Sequence, residues 1–278
     1  MKNKLLQIVT SVACLIMTGC TTFNIHTEKN STVRFPIHLD ASEWELSWQD
    51  EFSGEKLNGK KWKPCPEWKR QGGFCKWSNK NYRLNGKGQL ELVMDRRDGK
   101  IYCGALRTQG KYHQKFGYFE VRCKVPIING GWTAFWMMPV QQNKVGDEGR
   151  DATEIDIYES IWGYKGEVNH ALHWDGYKEH LKSDAKHFKN RYDLYDGKYH
   201  KFACLWNEKE YIFYIDDKET WRTSSGGVMQ TPGYMKLTME AADKWAGDIK
   251  QQKLPVVWEI DYVRAYQPLA EKIEEKDD

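Results

Sequence analysis

Apolar and polar residues alternate with a period of two along most of this chain, in short runs broken by Gly, Asn and Asp. Such alternation predicts strands with one buried face. The 3.6-residue period of an amphipathic helix is nearly absent. Candidate strands fall at 89–95, 101–108, 117–125, 132–139, 153–159, 168–174, 200–206, 211–215, 234–239 and 256–266. Asp216-Asp217 lies between two apolar runs and reads as a hairpin turn. Many short strands at this spacing predict an all-β sandwich or barrel. The runs 101–108 and 117–125 flank a turn centred near His113, a hairpin that would set Cys103 opposite Cys123, either as a disulfide or as packed thiols.

The two ends of the chain do not share this pattern. Lys2 and Lys4 precede a mostly apolar run from Leu5 to Met17, and Thr18-Gly19-Cys20 follows. Residues 1–19 therefore look like a bacterial lipoprotein signal cut before an acylated Cys20, or else an ordinary secretory signal cut nearby. Residues 20–34 are polar and read as a tether, 35–268 as one catalytic-size domain, and 269–278 as a charged tail. This arrangement implies a cell-envelope protein, an outer-membrane lipoprotein, with the lipid as its sole membrane contact. The formal charge is +3 and drops by two when Lys2 and Lys4 leave, so no basic block suggests nucleic acid. Mean hydropathy is −0.78, which argues against further spans. The 13 Trp and 15 Tyr fill a core and also suit a protein that stacks sugar rings. Cys65 and Cys75 are spaced to close a small surface loop, which leaves Cys204 odd and buried. No Cys/His spacing resembles a zinc site.

The densest chemistry lies in Ala152-Thr153-Glu154-Ile155-Asp156-Ile157-Tyr158-Glu159-Ser160. Glu154 and Asp156 share a strand face, and Ile155 and Ile157 point into a core. Three carboxylates in six residues raise one another's pKa, so they need either water or a task. Two carboxyl groups about 5–5.5 Å apart are what a retaining glycosidase requires. A regular strand puts Glu154 and Glu159 on opposite faces. A β-bulge at Ile157-Tyr158 returns Glu159 to the face of Glu154, with the Cα atoms about 13 Å apart and long side chains left to close the gap. Asp156, between them, is placed to hydrogen-bond Glu154. The alternative is an acidic, solvated strand face. Glu259-Ile260-Asp261 repeats the step without a third carboxylate and reads as structural.

E-I-D-x-x-E in this setting resembles glycoside hydrolase family 16 in its bulged form. The resemblance covers most of 45–267. Leu46-Ser47-Trp48-Gln49-Asp50-Glu51-Phe52-Ser53-Gly54 is similar to the family's first strand. Gly117-Tyr118-Phe119-Glu120-Val121-Arg122-Cys123-Lys124-Val125-Pro126 resembles its G-x-F-E-x-R-x-K-x-P strand. Gly131-Trp132-Thr133-Ala134-Phe135-Trp136-Met137-Met138-Pro139 resembles its A-F-W strand. The closing strand is Val256-Val257-Trp258-Glu259-Ile260-Asp261-Tyr262-Val263-Arg264-Ala265-Tyr266.

The resemblance implies a concanavalin A-like β-jelly-roll of two curved antiparallel sheets with a cleft on the concave face. It implies Glu154 as nucleophile, Asp156 as its helper and Glu159 as acid/base. Trp132 and Trp136 then bind substrate instead of only filling a core. Arg107 binds a hydroxyl pair, His173 donates to the leaving sugar or tunes Glu159, and Glu240 and Trp245 form the cleft rim. No cofactor or catalytic metal is implied; a structural calcium on the convex side is left open. The expected partner is a poly- or oligosaccharide, bound by a monomer. The stretch 221–228 and the run Ala171-Leu172-His173-Trp174 look most like the family's endo-β-galactosidases of poly-N-acetyllactosamine or mucin-type glycans. An endo-β-1,3(4)-glucanase is the alternative, and a non-catalytic lectin-like domain is the alternative of another class.

Overall fold

In a computed structural model, the described residues are 34–141 and 144–269. The expected signal, Cys20 and nearly all of the charged tail lie outside them. The strands are β1 (Trp44–Asp50), β2 (Lys63–Pro64), β3 (Lys69–Arg70), β4 (Cys75–Trp77), β5 (Tyr82–Leu84), β6 (Leu90–Arg97), β7 (Lys100–Cys103), β8 (Ala105–Arg107) and β9 (Gly117–Cys123). They continue with β10 (Gly131–Pro139), β11 (Thr153–Glu159), β12 (Val168–Trp174), β13 (Lys182–Phe188), β14 (His200–Trp206), β15 (Tyr211–Ile215), β16 (Lys218–Thr223), β17 (Gly233–Ala241) and β18 (Val256–Pro268). An eleven-stranded sheet runs β16-β15-β14-β9-β18-β6-β7-β4-β3, with β1 on β18 and β5 on β6. A seven-stranded sheet runs β13-β12-β11-β10-β17-β8-β2. Pairing is antiparallel except between β4 and β7. The two sheets form a jelly roll, as expected. Its core takes Phe119, Val121, Phe135, Met137, Ile155, Ile157, Leu237 and Trp258 from the inward positions of both.

The alternation predicts β11, β12, β14 and β15 at the limits found. Asp216 and Asp217 both adopt positive φ, as a two-residue hairpin turn requires. The run 101–108 behaves otherwise. It splits into β7 in one sheet and β8 in the other. Gly104 sits at the split: its N–H donates to Val93 of β6 and its carbonyl accepts from Met239 of β17, both at 2.9 Å. A Cβ there would lie 2.2 Å from the Asn81 carbonyl oxygen, so only glycine fits between the sheets.

The expected 101–108/117–125 hairpin therefore does not form. Cys123 lies opposite His200 and Ile260, and Cys103 opposite Met94 and Trp77. All five cysteines of the domain are free and buried, so the Cys65–Cys75 surface loop is not closed either. Cys75 instead meets the thiol of Cys103.

Candidate active site

A cavity of about 660 Å³ lies on the outer face of the seven-stranded sheet. Its lining follows strand alternation: Ser183, Ala185 and His187 on β13; Asn169, Ala171 and His173 on β12; Trp132, Ala134 and Trp136 on β10; Thr238 and Glu240 on β17. On β11 the lining residues are Glu154, Asp156 and Glu159, and the step from 156 to 159 breaks the period of two. Pairing shows how. Opposite β12, Asp156 faces Ala171 and Glu159 faces Asn169, so three steps on β11 match two on its neighbour. Opposite β10, Asp156 faces Trp136 and Tyr158 faces Phe135, so Ile157 has no counterpart. This is the expected bulge, and both carboxylates of interest lie on one face.

The bulge is held from beneath. His170 stands opposite the Ile157-Tyr158 pair that contains the extra residue, and its Nδ1 donates to the Ile157 carbonyl at 2.6 Å. The imidazole stacks on Phe213 with ring centroids 4.8 Å apart, and its Nε2 lies 3.0 Å from Thr220 Oγ1. Burial pulls His170 down to about 4, so the ring is neutral at ordinary pH. Tyr158, fully buried beside it, bonds Thr133 Oγ1 at 2.7 Å.

Above the sheet, each carboxylate has different company. Asn169 Nδ2 donates to Glu159 Oε2 at 2.9 Å. The Tyr177 hydroxyl donates to Glu154 Oε2. Asp156 lies 3.3 Å from His173 Nε2. One carboxylate oxygen each of Glu154 and Asp156 and a ring nitrogen of His173 all fall within 4.8 Å of one another. Burial and then the charge of Asp156 push Glu154 up to about 7. The same two causes, in the same order, push Glu159 well above the usual carboxylate range. Burial opposes a charge on His173, but its hydrogen bond to Asp156 and the surrounding carboxylates outweigh this and raise it to about 9. His173 thus serves Asp156 and stands opposite Glu154; the expected tuning of Glu159 is not a direct contact. The second E-I-D copy differs in kind. Glu259 is paired with Lys124 at 2.6 Å and Asp261 with Arg122, so its charges are compensated.

Trp132 and Trp136 line the cleft but are 5% and 6% exposed. Trp132 is covered by Trp245, with centroids 5.1 Å apart. Trp136 donates to Thr238 Oγ1 at 3.0 Å and carries the Lys236 ammonium 3.6 Å from its ring centroid. The open indole surface belongs to Trp245, at 48% exposed, and to the half-buried Trp162, whose φ of +57° is rare for a bulky residue. Trp162 Nε1 donates to the Trp245 carbonyl, which fixes the pair at one end of the cleft. Glu240 lines the cavity, yet it is committed to Arg70 at 2.9 Å and Gln71 at 2.7 Å.

Arg107 does not join this lining. It lies on β8 opposite Lys236, one strand beyond β17, and the arginine that reaches the cavity is Arg70. Sequence reading missed Arg70, Gln71, Trp162 and Tyr177, all of which come from connections or short edge strands without periodicity. Residues 221–228 are likewise outside the lining: Trp221 stacks on Phe213 at 5.0 Å, and Gly226 packs near Trp174.

Paired glutamates brought together by a bulge, among indole rings on the outer face of a jelly roll, define a glycoside hydrolase. The chain belongs to family 16 of that class: the family model described as glycosyl hydrolases family 16 matches residues 70–264. It is 27% identical over 254 residues to a β-glucanase of Rhodothermus marinus, covering 81% of this chain and 86% of that one. It is also 27% identical over 244 residues to a keratan-sulfate endo-1,4-β-galactosidase of Sphingobacterium multivorum, covering 81% of this chain and 56% of that longer protein. Among solved structures, one from work on endo-acting O-glycanases that gut bacteria express to initiate mucin breakdown superposes with a TM-score of 0.70. That structure is 26% identical, over 82% of this chain and 92% of the other. A laminarinase from Flavobacterium sp. UMI-01 shares the fold, with a TM-score of 0.68 at 23% identity over 80% of this chain and all of the other.

Proposed function

We propose that this protein is a retaining, endo-acting β-glycosidase. Glu154 attacks the anomeric carbon while Glu159 protonates the departing glycosidic oxygen. Glu159 then takes a proton from water, whose oxygen displaces Glu154 from the sugar. The observation that carries the reading is the bulge, because without it Glu159 would face the core. The raised Glu159 suits an acid that must hold its proton near neutrality. Asp156 shares the face of Glu154 and lies 3.3 Å from His173 Nε2, so a carboxylate and an imidazole flank the nucleophile. The lining crosses five adjacent strands, about 19 Å at ~4.8 Å per strand, so a polymer can lie across the cleft without its end being recognised.

For the substrate we favour endo-β-galactosidase action on poly-N-acetyllactosamine or mucin-type glycans. The likeness to a keratan-sulfate endo-β-galactosidase and to the O-glycanase structure supports it. The equal likeness to a β-glucanase keeps an endo-β-1,3(4)-glucanase as the second reading. Digestion of laminarin, barley β-glucan, agarose, keratan sulfate and mucin O-glycans separates them. We expect internal cuts in keratan sulfate or mucin glycans; cuts in laminarin or barley glucan alone would establish the glucanase. Glu154→Gln should bind the cleaved glycan but turn it over at least about 10³-fold more slowly. Unimpaired cleavage by that variant would remove Glu154 from the mechanism, and binding by a wild-type protein that cuts nothing would favour the lectin-like reading.

A further inference from the structure

Tyr177 lies in the connection from β12 to β13. The chain leaves β12 through Asp175 and Gly176, both at positive φ, +60° and +81°. This turns it back over the cleft edge. The turn is pinned: the Asp175 carboxylate accepts the Gly146 N–H at 3.2 Å and the Lys182 ammonium at 2.9 Å. Tyr177 is 46% exposed, so its ring does not fill a core. Its hydroxyl nevertheless turns inward to Glu154 Oε2, with Met138 Sδ as a second neighbour at 3.3 Å. A thioether is the weaker acceptor, so the proton goes to the carboxylate.

The other groups around Glu154 act only through space. Asp156 and Glu159 on its own strand oppose its charge. His173 from β12, Lys236 from β17 and Arg70 from β3 favour it. Among the described residues, Tyr177 supplies the one hydrogen bond to this carboxylate.

We infer that Tyr177 is a positioning residue for the nucleophile: it holds Oε2, leaves Oε1 to attack, and stabilises the carboxylate each time it re-forms. The inference rests on reading Glu154 as the nucleophile. When Oε1 bonds the anomeric carbon and the glycosidic C–O bond breaks, the carboxylate becomes a neutral ester and the proton of Glu159 leaves with the departing sugar. When water attacks, the Oε1–carbon bond breaks, its electron pair returns to Glu154, and the water proton goes to Glu159. A donor on Oε2 stabilises the ionised form before attack and after release.

Tyr177→Phe removes the hydroxyl and keeps the ring. The test is a carbon-13 titration of the glutamate carboxyl groups in wild type and Tyr177→Phe, with the Glu154 signal assigned by its loss in Glu154→Gln. We expect Glu154 to titrate about one pH unit higher in Tyr177→Phe. The acid limb of kcat/KM on the glycan cleaved by wild type should move up with it, lowering activity below the limb by on the order of 10-fold. Tyr177→Ala should share the shifted limb and add a rise in KM from the lost ring. An unmoved Glu154 titration, or a uniform activity loss with the wild-type limb, overturns the inference. Wild-type cleavage by Glu154→Gln would instead bring down the nucleophile reading, and the titration would still decide the hydrogen bond.

Discussion

Asp156 has an acid on either side of it along one strand face and an imidazole across the ladder at 3.3 Å. Burial is the first cause of the raised Glu154 and Glu159, and the charge of Asp156 is the second for both. Asp156→Asn should therefore make both glutamates ionise more easily. It also releases His173, whose charge depends on Asp156, but His173 ranks below Asp156 among the influences on each glutamate. The net expectation is a bell-shaped kcat/KM profile displaced to lower pH on both limbs. On the acid side Glu154 becomes ionised earlier; on the alkaline side Glu159 loses its proton earlier. A profile that keeps its position and only shrinks would show that Asp156 orients without tuning. These three acids were legible because strand alternation fixes faces, and one extra residue between Asp156 and Glu159 announces a bulge. Tyr177 and Arg70 were not legible. Arg70 comes from the two-residue edge strand β3, and Tyr177 from a turn whose path is set by tertiary contacts such as Asp175 with Lys182. Arg107 was assigned to the cleft on likeness alone; it stands opposite Lys236 on the strand next to β17 and is not among the lining residues.

The bulge is an element-scale device, and His170 is what stabilises it. A bulge leaves a backbone carbonyl without its ladder partner, and the Ile157 carbonyl is buried. His170→Leu fills much of the same space but offers no donor. The orphaned carbonyl should cost about 1–3 kcal/mol, lowering Tm by a few degrees. Activity should fall further than this stability loss explains, because Glu159 is delivered by the same backbone. The pH dependence has a definite sign. The folded His170 titrates near 4, below its ordinary value of 6.5, so the unfolded chain takes up the proton first as pH falls. The stability that His170 contributes is whole above about pH 6.5 and is lost progressively toward pH 4. The Tm deficit of His170→Leu should accordingly shrink across that window, and a constant deficit would show that the imidazole matters only by shape. Element limits were readable where one face is apolar, as in β11 and β12. They were unreadable in β13, where Lys182–Phe188 is exposed on most positions and has no apolar stripe to betray it. The two- and three-residue strands β2 to β5 are too short for any period. The break at Gly104 was hidden because the residues on both sides of it continue a plausible alternation while belonging to different sheets.

At the scale of the molecule, the two sheets enclose one continuous core, and the cysteines report on it. Cys75, Cys103, Cys123 and Cys204 sit on strands of the large sheet, and Cys65 follows the edge strand β2 of the small one. None is more than 3% exposed. Burial raises the thiols of Cys65, Cys103, Cys123 and Cys204: Cys123 reaches about 12, and Cys103 and Cys204 also lie well above the ordinary value. A thiol that is both enclosed and protonated is a poor nucleophile. The native domain should therefore ignore a water-soluble disulfide reagent at neutral pH, and added reductant should leave Tm unchanged. As denaturant is raised, labelling should appear at all five sites together, with the midpoint seen by far-ultraviolet circular dichroism. This follows because each thiol is buried by residues from several strands, so no single strand can leave and expose it. Cys65 is the most demanding case, since β2 has two residues and, among the described residues, pairs only with β8. If Cys65 labelled early while the other four stayed silent, that edge of the sheet would open on its own. The site would then have a soft flank beside Lys236 and Arg70, and the cleft could no longer be treated as part of one cooperative unit.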